Sequence, residues 1–368
     1  MKQSTKPTIQ RKSLQREAPT FTIGVDIGDR YSHLCVLDAE GEVVDEGRIA
    51  TTREGFTRRF TAMERARVVI ETGTHSRWIE EELVTAGHQV IVANARELPK
   101  ISQNIRKSDR NDAELLARLG RSDPKLLSPV SHRSAGAQQG LSLVRARAAL
   151  VKTRTTLVNC VRGLVKSVGG RMPKCDADDF HLHQDKLPLG LHDAVAPLVE
   201  QIAHLTKAIA GYDATLKARM DELAPGARNL TTIPGVGVLS AVAFVLTIDD
   251  PARFPKSRTV GAYLGLVPRR SQSGNGDPQL RISKAGDAQM RKLLTQCAHV
   301  VLHRCTKSES ELREWGIRHL GTSALDKRKA VVAVARKLAV LMHRMLVTQK
   351  PFDPRHATRQ KEAAMRAA

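Results

Sequence analysis

The sequence predicts an α/β domain built on a mixed sheet, followed by a central helical region and a mainly α-helical C-terminal domain. Strand-like and helix-like segments alternate between Phe21 and about Leu119. A hydrophobic repeat of seven residues replaces that alternation from about Gly140, and a glycine-rich turn near residue 235 opens a third region. A chain of 368 residues is too long for one typical hydrophobic core, so two or three domains are expected.

Composition changes along the chain divide it into five predicted segments. Residues 1–20 hold five Lys or Arg residues and no apolar segment of a signal peptide, so we expect a disordered basic arm. The other segments are an α/β domain at 21–130, a coiled-coil helical region at 131–228, a helical domain at 229–355 and a disordered polar tail at 356–368.

The α/β segment has the element order βββαβαβα. Turn residues at Asp38–Gly41 separate the second strand from the third, and the apolar run Val68–Glu71 is typical of a buried central strand. This is the order of the ribonuclease-H-like (RuvC-like) fold, in which the first and fourth strands are neighbours at the centre of the sheet. The predicted strands are Phe21–Asp26, His33–Asp38, Val43–Ala50, Val68–Glu71 and Gln89–Asn94. The predicted helices are Thr52–Met63, His75–Gly87 and a helix, capped by Asp109 or Asn111, that runs through Leu115, Leu116 and Leu119.

Four acidic residues stand at the ends of these elements. Asp26 ends the first strand and Glu71 the fourth, whereas Asp109 and Asp112 are three residues apart and share one helix face. Four carboxylates at one point repel one another strongly unless divalent cations hold them. Two such ions can orient the attacking oxygen and neutralise the leaving oxygen of a phosphodiester. The set therefore predicts a metal-dependent phosphodiester site that holds two divalent cations.

A large excess of positive charge indicates the class of partner. The chain has 59 Lys and Arg against 38 Asp and Glu, a net charge of +21. This excess favours a polyanion such as nucleic acid. The longest uncharged apolar stretch, Val238–Ile248, is too short to cross a bilayer, so no membrane partner and a cytoplasmic, nucleoid-associated location are predicted. Aromatic residues make up 3%, so phosphate contacts are expected to dominate over base stacking.

Two heptad series follow the α/β segment. The first consists of Leu-Val pairs seven residues apart, flanked by Arg and Lys, which begin at Leu143, Leu150, Leu157 and Leu164. The second alternates steps of three and four as far as Leu216 and comprises Val195, Leu198, Ile202, Leu205, Ile209, Tyr212, Leu216 and Leu223. Two interpretations are open. The helices form either an oligomerisation element whose basic face holds nucleic acid, or a plain intramolecular pair with solvated basic residues.

A glycine-rich turn and a basic loop mark the third region. Ile233-Pro-Gly-Val-Gly237 precedes an apolar helix and is typical of a helix-hairpin-helix turn. Gly235 and Gly237 would let backbone amides approach a phosphate closely. Further along, Arg269, Arg270 and Lys284 are candidate phosphate clamps, with a general basic surface as the alternative interpretation.

Two serines follow the Arg-Arg pair. Ser271 and Ser273 precede a flexible Gly-rich stretch. A serine flanked by guanidinium groups could attack a scissile phosphate and conserve the bond energy in a covalent adduct. From the residues alone, an ordinary serine-rich loop is the simpler interpretation.

Together these motifs resemble a known family, the insertion-sequence transposases that join a DEDD, ribonuclease-H-like domain to a C-terminal serine-bearing transposase domain. These enzymes are also described as bridge-RNA-guided recombinases. The resemblance covers about Phe21 to Pro354, nearly the whole chain. The motifs that carry it are Gly24-Val-Asp26-Ile-Gly28, Ile70-Glu71-Thr-Gly73, Asp109-Arg-Asn-Asp112-Ala, Ile233-Pro-Gly-Val-Gly237, Gly265-Leu-Val-Pro-Arg-Arg270, Ser273-Gly274 and Ile282-Ser-Lys-Ala-Gly286.

The resemblance implies a reaction and its residues. It implies exchange of top strands between donor and target DNA through a phosphoserine intermediate, guided by an element-encoded RNA that pairs with both DNAs. It also implies a tetramer linked through the coiled coil, in which the acidic site of one protomer meets the serine of another. The chain departs from the family pattern in its basic arm and near His75, where an aromatic residue often stands. The family's acids correspond to Asp26, Glu71, Asp109 and Asp112, which would bind Mg²⁺, and its nucleophile to Ser273 rather than Ser271 or Ser283.

Three other functions are compatible with part of the sequence. A junction-type nuclease would use the same acids with water as nucleophile, but it leaves the serine region and the heptads unexplained. An actin-like kinase also opens with Gly-Val-Asp-Ile-Gly, yet it needs a second lobe with a phosphate loop. A basic architectural protein would make the four acids superfluous.

Overall fold

The computed structural model describes most of the chain as two compact units, residues 1–132 and 133–368. The predicted basic arm lies outside the described residues except for positions 19 and 20, and much of the predicted tail also lies outside them. The described residues are 19–96, 108–272, 276, 278, 280–305, 310–356, 358, 359 and 365.

The first unit is built on a five-stranded mixed sheet. Its elements are β1 (Thr22–Asp26), β2 (Tyr31–Leu37), β3 (Val43–Ala50), α1 (Arg53–Phe60), β4 (Arg67–Glu71), α2 (Ser76–Thr85), β5 (Gln89–Ala93) and α3 (Asp109–Ser122). The strand order is β3-β2-β1-β4-β5, antiparallel from β1 to β3 and parallel among β1, β4 and β5. β1 and β4 are therefore neighbours at the centre of the sheet, as predicted.

Helices cover both faces of this sheet. α1 and α2 bury Phe56 and Ile79 in the core on one face. α3 packs on the other face so closely that a Cβ atom on Gly24 would lie 1.9 Å from the carbonyl oxygen of Ala113. Only glycine fits at position 24 without displacing the helix. Because side chains alternate along a strand, Asp26 points to the face on which α3 lies.

The second unit begins with two long helices, α4 (Ala135–Ser167) and α5 (His192–Ala218). Arg147 Nε and Nη2 donate to the Asp213 carboxylate at 2.6 and 2.8 Å. Two turns further along α4, Arg154 donates a hydrogen bond to Thr206 Oγ1 at 3.1 Å. Since the partner number falls as the α4 number rises, the two helices pack antiparallel, as the intramolecular interpretation of the heptads requires.

The buried seam of this pair differs in part from the predicted one. In α4 the valines turn inward, so Val158 and Val165 are buried whereas Leu164 is 38% exposed. In α5 the predicted positions Val195, Ile202, Ile209 and Leu216 are buried, but Leu198, Leu205 and Tyr212 are only half-buried. An antiparallel pair buries one narrow stripe per helix, and adjacent apolar positions stay at its margin. Leu223 falls in a separate short helix because α5 ends at Ala218.

The remaining helices of the second unit pack around one apolar helix. They are α6 (Met220–Leu223), α7 (Ala227–Leu230), α8 (Val238–Ile248), α9 (Val260–Tyr263), α10 (Ala288–His303), α11 (Glu311–Arg318) and α12 (Ala324–Thr348). α8 is buried from Ser240 to Ile248, and its core includes residues of α4, α10 and α12. Among the described residues, no helix is long and apolar enough to span a membrane.

Candidate active site: four carboxylates at one edge of the sheet

The register of the sheet brings two of the predicted acids together. Val25 of β1 pairs with Ile70 of β4 in a parallel ladder, so Asp26 and Glu71 end neighbouring strands side by side. On the other side of β1, Asp26 pairs with His33 of β2. The apolar residues before each acid are fully buried, which fixes the strand ends that carry the carboxyl groups.

The first turn of α3 supplies the other two acids. The helix begins at Asp109, and the side chain of Ser108 caps it by accepting from the backbone N–H of Asn111 at 3.3 Å. The prediction of Asp109 or Asn111 as the cap is therefore wrong, because the hydroxyl one residue earlier fills that role. Asp112 is 5% exposed, whereas Asp109 is exposed. Helix N-terminal amides stabilise both carboxylates.

The four acids interact electrostatically at Asp26. Burial of this carboxyl, followed by repulsion from Asp109, Asp112 and Glu71, raises its pKa from 3.8 to about 6. His33 acts in the opposite direction, and its Nδ1 lies 3.5 Å from Asp109 Oδ2. The sequence pattern thus predicted four carboxylates that do converge on one sheet edge.

The donor set fits a hard divalent cation. All four groups supply carboxylate oxygens, which Mg²⁺ and Mn²⁺ prefer, and their mutual repulsion disfavours the ionised form of Asp26. Within the described residues, no three His, Cys, Asp or Glu side chains are arranged to coordinate one ion. Repulsion keeps like-charged groups apart until a cation lies between them, and the acids nevertheless lie close enough to raise the pKa of Asp26.

A cluster around the start of α2 resembles a catalytic triad but is structural. Ser76 Oγ lies 2.8 Å from His132 Nε2, and His132 Nδ1 lies 2.7 Å from Glu80 Oε2. Ser76 is fully buried, and its hydroxyl also bonds both the N–H and the carbonyl of Gly73. Its oxygen therefore has no access to a substrate, and the network anchors residue 132 to the first unit.

His75 is held by its neighbours at the same sheet edge. Its Nδ1 accepts a hydrogen bond from Trp78 Nε1 at 3.1 Å, and its Nε2 lies 3.6 Å from Asp29 Oδ1. Because His75 Nδ1 accepts this hydrogen bond, the neutral form of the His75 ring carries its proton on Nε2. His33 is a further residue of this site that the sequence pattern did not predict, and the register of β2 against β1 places it opposite Asp26.

The two predicted glycine contacts differ in their surroundings. Gly235 has a φ of 90°, and a Cβ there would lie 3.1 Å from Val301 Cγ2, so the turn and its packing on α10 require glycine. Gly237 is the N-cap of α8, and a Cβ there would meet nothing within 4 Å. Of these two glycines, Gly237 is the one whose backbone faces open space.

The predicted cations lie on a hairpin-like loop with a tightly packed base. Arg269 and Arg270 are exposed, as is Lys284. The backbone N–H of Arg269 donates to the carbonyl of Arg281 at 2.9 Å, which pairs the two arms of the loop. Ser273, the predicted nucleophile between these arms, lies outside the described residues.

Glycines hold the base of this loop. Gly265 has a φ of 67°, and a Cβ there would lie 2.3 Å from the backbone of Ala285. Gly286 has a φ of 68°, and a Cβ there would lie 2.1 Å from the carbonyl oxygen of Tyr263. A larger residue at either position would force the two arms apart.

Comparison with known proteins matches both units to transposases. Residues 23–169 match the family model described as a transposase, DEDD_Tnp_IS110, and residues 227–313 match the transposase IS116/IS110/IS902 family. The chain is 28% identical to the transposase for insertion sequence element IS1111A of Coxiella burnetii over 345 residues, 90% of each chain. It is 28% identical to the transposase for IS1328 of Yersinia enterocolitica over 302 residues, 80% of this chain and 87% of the relative.

A third relative has a different name. The pilin gene-inverting protein of Moraxella bovis is 24% identical over 297 residues, 78% of this chain and 82% of the relative. The DEDD match spans the strands and the helix that carry the four acids, and the second match spans the loop with the Arg-Arg pair. The chain belongs to the DEDD transposases of the IS110/IS116 family and is a DNA recombinase of the transposase class.

Proposed function

We propose that this transposase exchanges DNA strands between an insertion element and its target through a covalent phosphoserine intermediate on Ser273. Asp26, Glu71, Asp109 and Asp112 would hold Mg²⁺. The observation that carries the proposal is the convergence of these acids at Asp26, whose pKa their charges and burial raise to about 6. A site with so much unbalanced negative charge suits cations that bridge to a phosphate.

The chemistry of the step follows from the residues. The Ser273 oxygen attacks phosphorus and forms a Ser–O–P bond as the bond from phosphorus to a deoxyribose oxygen breaks. The serine loses its proton, and the departing oxygen gains one as a hydroxyl. Bound divalent ions supply neutralisation of the charge that gathers on the phosphoryl oxygens. The adduct keeps the bond energy, so a hydroxyl of the other DNA can reverse the step and rejoin the strands.

The loop that carries Ser273 supports this role. Its arms are paired through Arg269 and Arg281, and glycines fix its base. Arg269, Arg270 and Lys284 are exposed cations near the serine in sequence and would contact phosphate oxygens. Ser273 precedes Gly274 after the Pro-Arg-Arg stretch, which is why it is preferred to Ser271.

A guide RNA and a tetramer complete the proposal. The net charge of +21 remains after every Asp and Glu is counted, and it suits the binding of RNA as well as DNA. Leu150, Leu157 and Leu164 form a stripe along α4 at the margin of its buried seam: Leu157 packs partly against that core, Leu150 is half-buried and Leu164 is 38% exposed. Such a stripe can pack against another copy of the chain. Sequencing of co-purified RNA tests the first point. The mass of the native assembly, compared between wild type and a Leu150→Gln, Leu164→Gln variant, tests the second.

The test of the central step is capture of the covalent adduct. The full chain is incubated with labelled DNA carrying an element end, its co-purified RNA and Mg²⁺, and adducts are resolved under denaturing conditions. We expect an adduct with wild type and with Ser271→Ala, the matched control, and none with Ser273→Ala. An adduct with Ser273→Ala would overturn the nucleophile assignment. Cleavage that persists in Ser273→Ala without an adduct would instead support a junction-type nuclease that uses water.

A further inference from the structure

A row of side chains leads from the four acids to the open edge of the sheet. In the antiparallel ladders Asp26 of β1 pairs with His33 of β2, and His33 pairs with Arg48 of β3. Directly opposed residues point to the same face, so these three side chains share the face on which α3 begins. β3 is the edge strand, and two interstrand spacings put Arg48 roughly 10 Å from Asp26.

Arg48 is held over an exposed aromatic ring. Its guanidinium carbon lies 4.2 Å from the ring centroid of Tyr31, which is 49% exposed. Tyr31 stands two residues before His33 and pairs with Ala50, so its ring lies one step further along the same face. The cation–π contact orients the guanidinium, and no carboxylate in the described part of the chain pairs with Arg48, so its hydrogen-bond donors can bind an anion.

The surroundings of Arg48 are also basic. Together with Arg58 and Arg59 it lines a pocket of about 350 Å³ at the sheet edge. Arg59 is paired with Asp45, but no carboxylate is among the described residues that line the pocket. Arg58 and Arg59 belong to α1, which covers the other face of the sheet, so Arg48 is the cation of this group that shares a face with the four acids.

We propose that Arg48, held over Tyr31, is a phosphate clamp for the DNA strand that enters the four-acid site. The proposal rests on the proposed role of the acids in DNA cleavage. A strand whose scissile phosphate reaches the acids must pass over one side of them, and the row through His33 to Arg48 provides a cation for a neighbouring phosphate. Tyr31 is a positioning residue that acts through Arg48.

The clamp is tested by DNA binding without chemistry. A fluorescein-labelled 20-nucleotide single-stranded DNA is titrated with the full chain in chelator, by anisotropy, across a range of salt concentrations. We expect Arg48→Ala to weaken binding about fivefold to tenfold and to reduce the salt slope by about one. Arg65→Ala is the matched control, since Arg65 is exposed and precedes β4 at the opposite end of the sheet from Glu71.

Variants of Tyr31 separate positioning from a structural role. Tyr31→Phe keeps the ring and should bind as wild type, whereas Tyr31→Ala should bind as weakly as Arg48→Ala. The double variant should be no weaker than Arg48→Ala alone, because the tyrosine acts through the arginine. Additive losses would overturn that role.

Other outcomes would overturn the clamp itself. Equal losses for Arg48→Ala and Arg65→Ala would show only general attraction to the basic chain. If Arg48→Ala weakened the binding of an RNA of the same sequence but not of the DNA, the strand that Arg48 contacts would be a guide RNA and not the DNA. Because binding is measured in chelator and without cleavage, failure of the cleavage proposal would leave this measurement intact and readable.

Discussion

The two units arrange their charged side chains in opposite ways. In the first unit, Asp26 stands among three other carboxylates, with His33 as the group that offsets them. In the helix pair of the second unit, Arg147 donates two hydrogen bonds to Asp213, and Arg154 lies 2.6 Å from Asp178. One region accumulates like charge, and the other pairs these two arginines with acids.

This contrast separates a site for a ligand from a structural contact. Paired charges fix which residues of α4 and α5 face each other and need nothing from outside the chain. Carboxylates clustered with other carboxylates raise the free energy of the folded chain until cations or protons arrive. The acids of the first unit are therefore expected to respond to metal and pH, and those of the helix pair are not.

The largest expected effect is the loss of strand exchange when an acid is removed. Replacement of Asp26, Glu71, Asp109 or Asp112 by alanine should lower the exchange rate at least about 1,000-fold, or about 4 kcal/mol in activation free energy. Glu64→Gln, which changes an exposed acid before β4, is the control and should leave the rate unchanged. If all four variants kept strand exchange, the acids would not form the active site.

Removal of Asp178 should give the largest effect in the helix pair. The Arg154 side chain is 7% exposed and Asp178 is its acidic partner, so Asp178→Ala should lower the free energy of unfolding by about 2 kcal/mol. Adding Arg154→Leu to Asp178→Ala should restore most of the lost free energy of unfolding, because an apolar side chain then replaces the cation that lost its acidic partner. Denaturant unfolding measures both, and no recovery in the double variant would argue against the pairing.

The raised pKa of Asp26 predicts a pH-dependent gain in stability when this residue is replaced, opposite in sign to the loss expected for Asp178→Ala. Between pH 4 and about 6 the folded chain keeps a proton that the unfolded chain releases, so stability falls as pH rises through that window. Without metal, Asp26→Asn should therefore stabilise the chain by about 1–2 kcal/mol at pH 7.5, allowing for solvent screening, and not at pH 3.5. Unfolding followed by Trp78 fluorescence in a Trp315→Phe background measures this. Equal effects at both pH values would contradict it.

The smallest expected effect is the coupling between Arg147 and Asp213. Both side chains are partly exposed, so a double-mutant cycle with alanine at each position should give less than about 1 kcal/mol. Mg²⁺ should not change this value. A coupling that depended on Mg²⁺ would remove the contrast between the two regions.

The first unit was predictable because periodicity and strand ends carry most of its information. β3 spans Val43–Ala50 as predicted, and the other strands differ by one or two residues at an end. Asp26 and Glu71 lie side by side as predicted because they end neighbouring parallel strands, whereas their role as an active site stays a prediction. His33 was missed because cross-strand neighbours depend on register, and a repeat in one strand does not specify the register of its partner.

The helix pair was less predictable. A heptad indicates that a helix has an apolar stripe, but Leu-Val pairs offer two adjacent stripes, and packing selected the valines. The choice depends on the partner helix, including the position of Arg154 in the seam. Likewise, Ser108 displaced Asp109 as the cap because several neighbouring residues could accept the same hydrogen bond.

Direct measurement of metal binding tests the central claim that the four acids require divalent cations. Mn²⁺ is titrated into the full chain at pH 7.5, and free Mn²⁺ is followed by electron paramagnetic resonance. We expect wild type and Glu64→Gln to bind Mn²⁺ equally, and Asp26→Asn and Asp112→Asn to bind at least about tenfold more weakly. Equal binding by all four proteins would contradict the account.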